Sequence, residues 1–293
     1  MIETRLLRYF LAVAREQNIT RAAQSLFISQ STLSKQMMDL EKQLGSQLFI
    51  RGKRSVTLTE EGLFLRDRAR EILKLLENTE TALQADTKNL SGDLFIGCGE
   101  TAAMDTIAEL LAEYRQQYPE VKIHLYSGDA DAVMERIDKG LSDMGLLLGP
   151  VRQEKYDYLN LRRKDIYGLL MPKDCELAKQ ETIPVEQLKT LPMILPDQTF
   201  FGHQDLDWFG KDALHVVATY NLIYNATFLV ERGIGYALCF DRLVNTAGRD
   251  LVFRPISPEL SVGLYIVTKK YPVFSPAAKK FYERLLALDK AVS

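Results

Sequence analysis

Three cysteines and three histidines are all that 293 residues hold of the side chains most used for metal binding and nucleophilic chemistry. Cys98, Cys175 and Cys239 are odd in number, far apart and without a CxxC spacing, which argues against a disulfide framework or a zinc finger. His124, His203 and His215 stand at no metal-ligand spacing to one another or to a cysteine, so no metal is expected. No stretch approaches the ~18 consecutive apolar residues of a membrane-crossing helix. The start, MIETRLLRYF, sets Glu3 beside Arg5 and Arg8 without an apolar core. No secretory leader is expected, and a reduced cytoplasm is the natural setting. A complete P-loop is missing, and so is a G-x-S-x-G elbow, since Gly140-Leu-Ser142-Asp-Met144 lacks the final glycine. Without a plausible triad the chain reads as a non-enzyme that needs no cofactor.

An excess of charge of one sign is also missing, but only in the total. The net charge of −2 would ordinarily argue against nucleic acid. Residues 1–58 hold nine Lys/Arg against four Asp/Glu, net +5, while residues 59–293 hold twenty-eight against thirty-five, net −7. At ~100–200 residues per domain the length suggests two or three domains, and three regions emerge. Residues 1–58 are short helical segments with almost no strand pattern, 59–89 read as one long helix, and 90–293 alternate short apolar runs with helical patterns, as an α/β fold does. Asn89-Leu90-Ser91-Gly92 supplies the hinge before the third region.

In the basic region, residues 20–26 read as a short helix with Thr20 as its N-cap. Phe27-Ile28-Ser29 is a tight turn, and Ser29 can cap a second helix from Gln30 to Leu44. Leu33, Met37, Leu40 and Leu44 make the apolar face of that helix, and Gly45 stops it. Gln30, Ser31, Ser34 and Lys35 fall away from this face, at the end where short polar side chains and a lysine reach base edges in a major groove. Two short helices across such a turn are a helix-turn-helix layout. Arg51-Gly52-Lys53-Arg54 then makes a basic turn suited to phosphates or the minor groove. A small helical bundle with solvated charges is the alternative.

The run from Leu7 to Gly62 resembles the DNA-binding domain of LysR-type transcriptional regulators. The likeness rests on Phe10 and Val13, Ala22-Ala23, Ser29-Gln30, Leu33-Ser34, Leu40-Glu41, Leu44-Gly45, Leu48-Phe49 and Leu58-Thr59. It implies that Thr20, Gln30, Ser31, Ser34 and Lys35 face double-stranded DNA, with Arg54 or Lys53 as the wing cation. The chain departs from the commonest pattern in having Ser31-Thr32 where proline or alanine is frequent, and Lys35 where arginine is usual. Lysine lacks arginine's planar fork, which bears on base preference at that contact.

Leu65, Ala69, Ile72, Leu76 and Leu83 fit a heptad stripe on the long helix, and Glu60 and Glu61 favour its N-terminus. The stripe can pack on its own chain, or it can be the dimerisation face that the resemblance implies. A homodimer or homotetramer follows from the latter, and RNA polymerase is a further partner that the resemblance allows.

In the acidic region, strand patterns at Asp93–Cys98, Val121–Tyr126 and Met144–Leu148 alternate with helices at Met104–Tyr118 and Ala130–Lys139. This is a β-α-β-α-β run with parallel strands and right-handed crossovers. Gly97-Cys-Gly99-Glu-Thr-Ala102 matches a dinucleotide fingerprint, yet no acid ends the second strand and Glu100 would repel a pyrophosphate. The glycines read instead as a tight turn before a helix whose N-terminus opens on a cleft.

By resemblance, residues 90–293 are the family's effector-binding domain, a two-lobed fold like that of periplasmic solute receptors. Lobe I would take 92–162 and 267–293, and lobe II 163–266. The resemblance places a small-molecule effector against Glu100, Thr101, Ser127, Pro196–Phe201 (with Thr199, Phe200 and Phe201) and Asn221. Core packing is the other reading of the two phenylalanines, and helix capping that of Thr101. Family members often carry Ser or Thr near Glu100 and bind carboxylates there. Glu100 disfavours an anion, so the expected effector is neutral or an amine, or the charge is compensated locally. The fold class expected is thus an all-α winged helix-turn-helix, a long dimerisation helix, and an α/β two-lobed domain. Alternatives are a redox-responsive regulator of the same architecture, and a small-molecule-binding protein or enzyme without DNA function.

Overall fold

The computed structural model describes residues 2–52, 55–84, 90–149, 155–197 and 214–291, in two compact units, Met1–Gln84 and Ala85–Ser293. In the first unit, α1 (Thr4–Glu16), α2 (Ile19–Ser25) and α3 (Gln30–Leu44) precede a hairpin, β1 (Phe49–Arg51) and β2 (Val56–Leu58), and then α4 (Glu60–Gln84). Phe10, Val13, Ala22, Leu33, Met37, Leu40, Leu48 and Phe49 form its core. The cap of α2 is Asn18, whose side chain accepts from Arg21 N–H, and Thr20 sits exposed in the first turn instead. Asn and Thr are both strong caps, and here the residue that stands in the extended conformation takes the role. Ser29 caps α3 and Gly45, at φ +65°, ends it.

Among the described residues, the second unit is built on ten paired strands. Lobe I holds β3 (Gly92–Cys98), β4 (Val121–Ser127) and β5 (Met144–Leu148), with α5 (Met104–Gln117) and α6 (Ala130–Asp138) in the crossovers. β3 lies between β4 and β5, parallel to both. Lobe II holds β7 (Ile183–Pro184), β8 (Pro192–Pro196), β9 (His215–Tyr220), α7 (Ile223–Glu231), β10 (Tyr236–Phe240) and β11 (Leu251–Ser257). Two strands serve both lobes: β6 (Tyr156–Pro172) and β12 (Ser261–Lys269). They run antiparallel from Tyr156↔Lys269 to Ser261↔Ile166, with a register shift between Gly263 and Tyr265. Arg162, at φ +52°, marks the same level on β6. β12 pairs with β5 from Leu264 to Val267, so the chain re-enters lobe I at Leu264, a few residues ahead of 267. A last helix, α8 (Pro276–Ala291), sends Ala278, Phe281 and Leu285 into the lobe I core.

Gly97 has a different role from the tight turn read in the sequence. A Cβ there would stand 2.7 Å from Val133 Cγ1, as would one at Gly145, so the two glycines let α6 lie close on β3 and β5. Helix α5 begins only at Met104.

Asp143 ties the start of β5 to β3: its Oδ2 accepts from Phe95 N–H at 2.8 Å, and its own N–H donates to the Phe95 carbonyl at 2.8 Å. Burial raises its carboxyl to about 6; the Phe95 N–H acts against this and Asp93 adds to it. The folded state therefore holds this proton more tightly than the unfolded chain, where the pKa is about 3.9. The stability it contributes is complete below about pH 4 and is lost as the pH rises through about 6. Asp143→Asn keeps the acceptor and removes the titration. Relative to that variant, the wild type should lose about 3 kcal/mol across this window in urea denaturation. A pH-independent difference would refute the assignment.

Candidate functional site

The first unit presents the amino end of α3 to solvent. Gln30, Ser31 and Lys35 are exposed and Ser34 is half-buried, while Leu33, Met37 and Leu40 are buried behind them. Ser29 organises this end: its Oγ accepts from Thr32 N–H at 3.1 Å and lies 3.0 Å from Ser31 Oγ and 2.7 Å from Thr32 Oγ1. Polar side chains on a rigid, capped first turn suit entry into a major groove.

The hairpin after α3 is the wing, closed by Gly52 N–H to the Ser55 carbonyl at 2.9 Å. Its base hangs on one carboxylate. Glu41 Oε1 accepts from Leu48 N–H at 2.9 Å and Phe49 N–H at 3.1 Å, and Oε2 pairs with Arg51 at 3.1 Å. Lys53 and Arg54, the predicted wing cations, lie outside the described residues.

Thr59 precedes helix α4, and its Oγ1 accepts from Gly62 N–H in the first turn and donates to the Gln47 carbonyl. The heptad stripe is divided. Ala69 is buried in the core of its own unit and Leu65 packs against that core, Leu76 is half-buried, and Ile72 and Leu83 are 48% and 83% exposed. Leu63, Phe64 and Leu75 join the exposed apolar set. The spacing showed the stripe but not that its first half is used locally.

In the second unit, a cavity of about 70 Å³ lies where the two lobes face each other. Lobe I lines it with Glu100, Asp129 and Leu148, and lobe II with Tyr220, Asn221 and Phe240, among others. These positions end strands or come within two residues after one, as expected of open α/β sheets. Glu100 Oε2 accepts from Ile223 N–H, at the start of α7, at 2.6 Å, so the carboxylate bridges the lobes. Burial raises the Glu100 carboxyl, with the Ile223 N–H acting against it. Asn221 Oδ1 accepts from Leu222 N–H. Tyr220 donates to the Leu238 carbonyl at 2.6 Å, and its burial drives the hydroxyl pKa upward.

Of the residues predicted for this site, Glu100, Asn221 and, from the segment Pro196–Phe201, Pro196 and Asp197 line the cavity. Ser127 is exposed at the end of β4 and does not; the lining there comes from Gly128 and Asp129. Thr101 is buried outside the lining, where its Oγ1 accepts from Ala103 N–H and it bonds to Asp165 of β6. Its role is to fix the loop that carries Glu100 to a strand shared by both lobes. Thr199, Phe200 and Phe201 lie outside the described residues. Sequence reasoning missed Tyr167, Phe240 and Leu243, which line the cavity from β6, β10 and the turn after it. The signal that could have found them is position: Phe240 ends a lobe II strand and Leu243 follows it.

The two buried cysteines offer poor thiolates. Burial pushes Cys98 up to about 11 and Cys239 up to about 12, and a thiol that stays protonated is a weak nucleophile. Among the described residues no three His, Cys, Asp or Glu side chains cluster as a metal site, and no helix is long and apolar enough to cross a membrane.

Known proteins share this arrangement. Residues 4–63 match the family model of the bacterial regulatory helix-turn-helix protein, lysR family, and residues 87–289 match that of the LysR substrate binding domain. The Hca operon transcriptional activator HcaR of Escherichia coli (strain K12) is 33% identical over 289 residues, covering 96% of each chain. The transcriptional activator IlvY of Salmonella typhimurium is 30% identical over 241 residues, 81% of this chain and 82% of that one. Among solved structures, full-length CbnR complexed with its target DNA superposes with a TM-score of 0.75 at 21% identity, over 98% of this chain and 100% of that one. At that identity the superposition speaks for the fold alone. With both halves matched to family models and a relative one-third identical along nearly its whole length, the chain belongs to the LysR family of DNA-binding transcriptional regulators.

Proposed function

We propose that this regulator works in the cytoplasm as a homo-oligomer, reads a two-fold DNA site with α3 and the wing, and is switched by a small molecule in the cleft rather than by a resident cofactor. The observation that carries the DNA reading is the capped, exposed end of α3 with Gln30, Ser31 and Lys35 on it. The +5 charge of residues 1–58 supports it, because phosphate neutralisation supplies much of the affinity for DNA. Ile72, Leu75 and Leu83, exposed along α4, support pairing of two copies through that helix. Two copies related by a two-fold axis match half-sites related in the same way. The cavity between lobes that share β6 and β12 supports effector control. A ligand that prefers one lobe arrangement shifts the population toward it.

The test is gel-shift titration against the DNA upstream of the chain's own gene, over a range of salt concentrations. Lys35→Ala should weaken binding and reduce the log–log salt slope by about one. Parental affinity with an unchanged slope would remove Lys35 from the interface.

A further inference from the structure

The chemical class of the effector follows from how the cleft is already occupied by the chain itself, given the reading of the cleft as the effector site. Two helices open on it, and a carboxylate of the protein holds the N-terminus of each. Glu100 Oε2 accepts from Ile223 N–H at the start of α7. Asp129 Oδ1 accepts from Ala132 N–H at the start of α6, at 2.8 Å. Helix N-termini are the natural seats of a ligand anion, and here an anion would have to displace a tethered one. Asp197 is a third carboxylate in the lining, and among the described lining residues there is no Lys, Arg or His to offset it.

A carboxylate offers about four acceptor positions, and the helix uses one of those on Glu100. Its raised pKa reports a charge that burial has left under-compensated. Leu147, Leu148, Leu222, Phe240 and Leu243 give the rest of the cavity an apolar character. Its volume of about 70 Å³ suits a body of a few carbon atoms.

We infer that the cleft takes a small organic cation, an alkylammonium head against Glu100 with a short apolar body among the leucines, and excludes simple carboxylates. Glu100 thereby does two things with one charge. It bridges the lobes through α7, and it provides the seat that a cation strengthens and an anion must evict.

The experiment is calorimetric titration of the full-length protein with n-butylammonium, n-butanol and n-butyrate, which share a body and differ in head charge. Butylammonium should bind, butanol should bind at least about tenfold more weakly, and butyrate should give no heat at millimolar concentration. Glu100→Gln should lower butylammonium affinity by about ten- to a hundredfold, the range expected for a hydrogen bond to a charged group, with butanol affinity little changed. Butyrate binding as tightly as butylammonium, an unchanged Glu100→Gln variant, or no ammonium binding to the wild type would each overturn the inference. Leu243→Trp, which fills the cavity from its lobe II side, separates the two levels. If a probe binds and this variant abolishes it, the cleft is the site, whichever head group wins. If every probe binds equally well to this variant, the cleft reading itself has failed and the inference falls with it.

Discussion

Glu41→Ala should cost the N-terminal unit about 3–4 kcal/mol and abolish measurable DNA binding. Hydrogen bonds to a charged group contribute about 1.5–3 kcal/mol each, and a buried donor left without its partner carries its full desolvation cost. The substitution strands two such donors, the N–H groups of Leu48 and Phe49, residues that are 1% and 2% exposed. The Arg51 pair is more exposed and adds little. Glu41 stands in the last turn of α3, where the helix dipole disfavours an acid, so its presence there marks a role outside the helix. At ~4–8 °C per kcal/mol for a domain of this size, its thermal transition should fall by about 12–30 °C. Glu41→Gln, which keeps an acceptor oxygen and loses the charge, should fall between the two. An alanine variant with the parental midpoint would show that the wing is held some other way.

Gly62→Ala is the second large effect, and its sign opposes local propensity. In an exposed helix interior the change would stabilise by about 1 kcal/mol. At Gly62 the new Cβ would lie 2.2 Å from the Leu48 carbonyl oxygen, 3.1 Å from Leu58 Cδ2 and 3.2 Å from the Leu48 carbonyl carbon. The nearest obstacle is backbone, and the same carbonyl accepts from Thr59 N–H at 3.1 Å, so it cannot swing aside without breaking that bond. The first turn of α4 must therefore lift off the wing, and a net loss of about 2–4 kcal/mol is expected. Urea denaturation of the full chain measures it. A stabilised variant would mean that the contact relaxes freely.

The sequence was most readable where the determinant is local. The span of α3, its Ser29 cap and its Gly45 stop follow from spacing and cap chemistry within seventeen residues, and the apolar run Met144–Leu148 has the bounds of β5. The wing strands were not visible, because three residues each are too few to show alternation. β6 was not visible as one strand either. It passes through Arg162, Arg163 and Lys164, a charge run that interrupts the apolar pattern exactly where the strand leaves one lobe for the other. In the cleft, Glu100 could be named from the strand end it follows. Its partner, the Ile223 N–H, lies 123 residues away on another lobe. Only the folding of β6 and β12 against each other brings the two together, and no spacing rule encodes that. For the same reason the sequence left open whether the Glu100 charge was compensated, which the α7 contact answers in part.

The division of the α4 stripe has a mechanical consequence. Because Leu65 and Ala69 are built into the core of the first unit, its reading head and the helix turn as one solid piece. Twenty-five residues make a rod of roughly 37 Å. A tilt of about 10° at one end of such a rod sweeps the other through about 6 Å, close to two base-pair steps along a duplex. Angular error is thus amplified into phase error on the DNA. A modest twist far from the groove is enough to move α3 out of step with its half-site, with no residue of the head changing conformation.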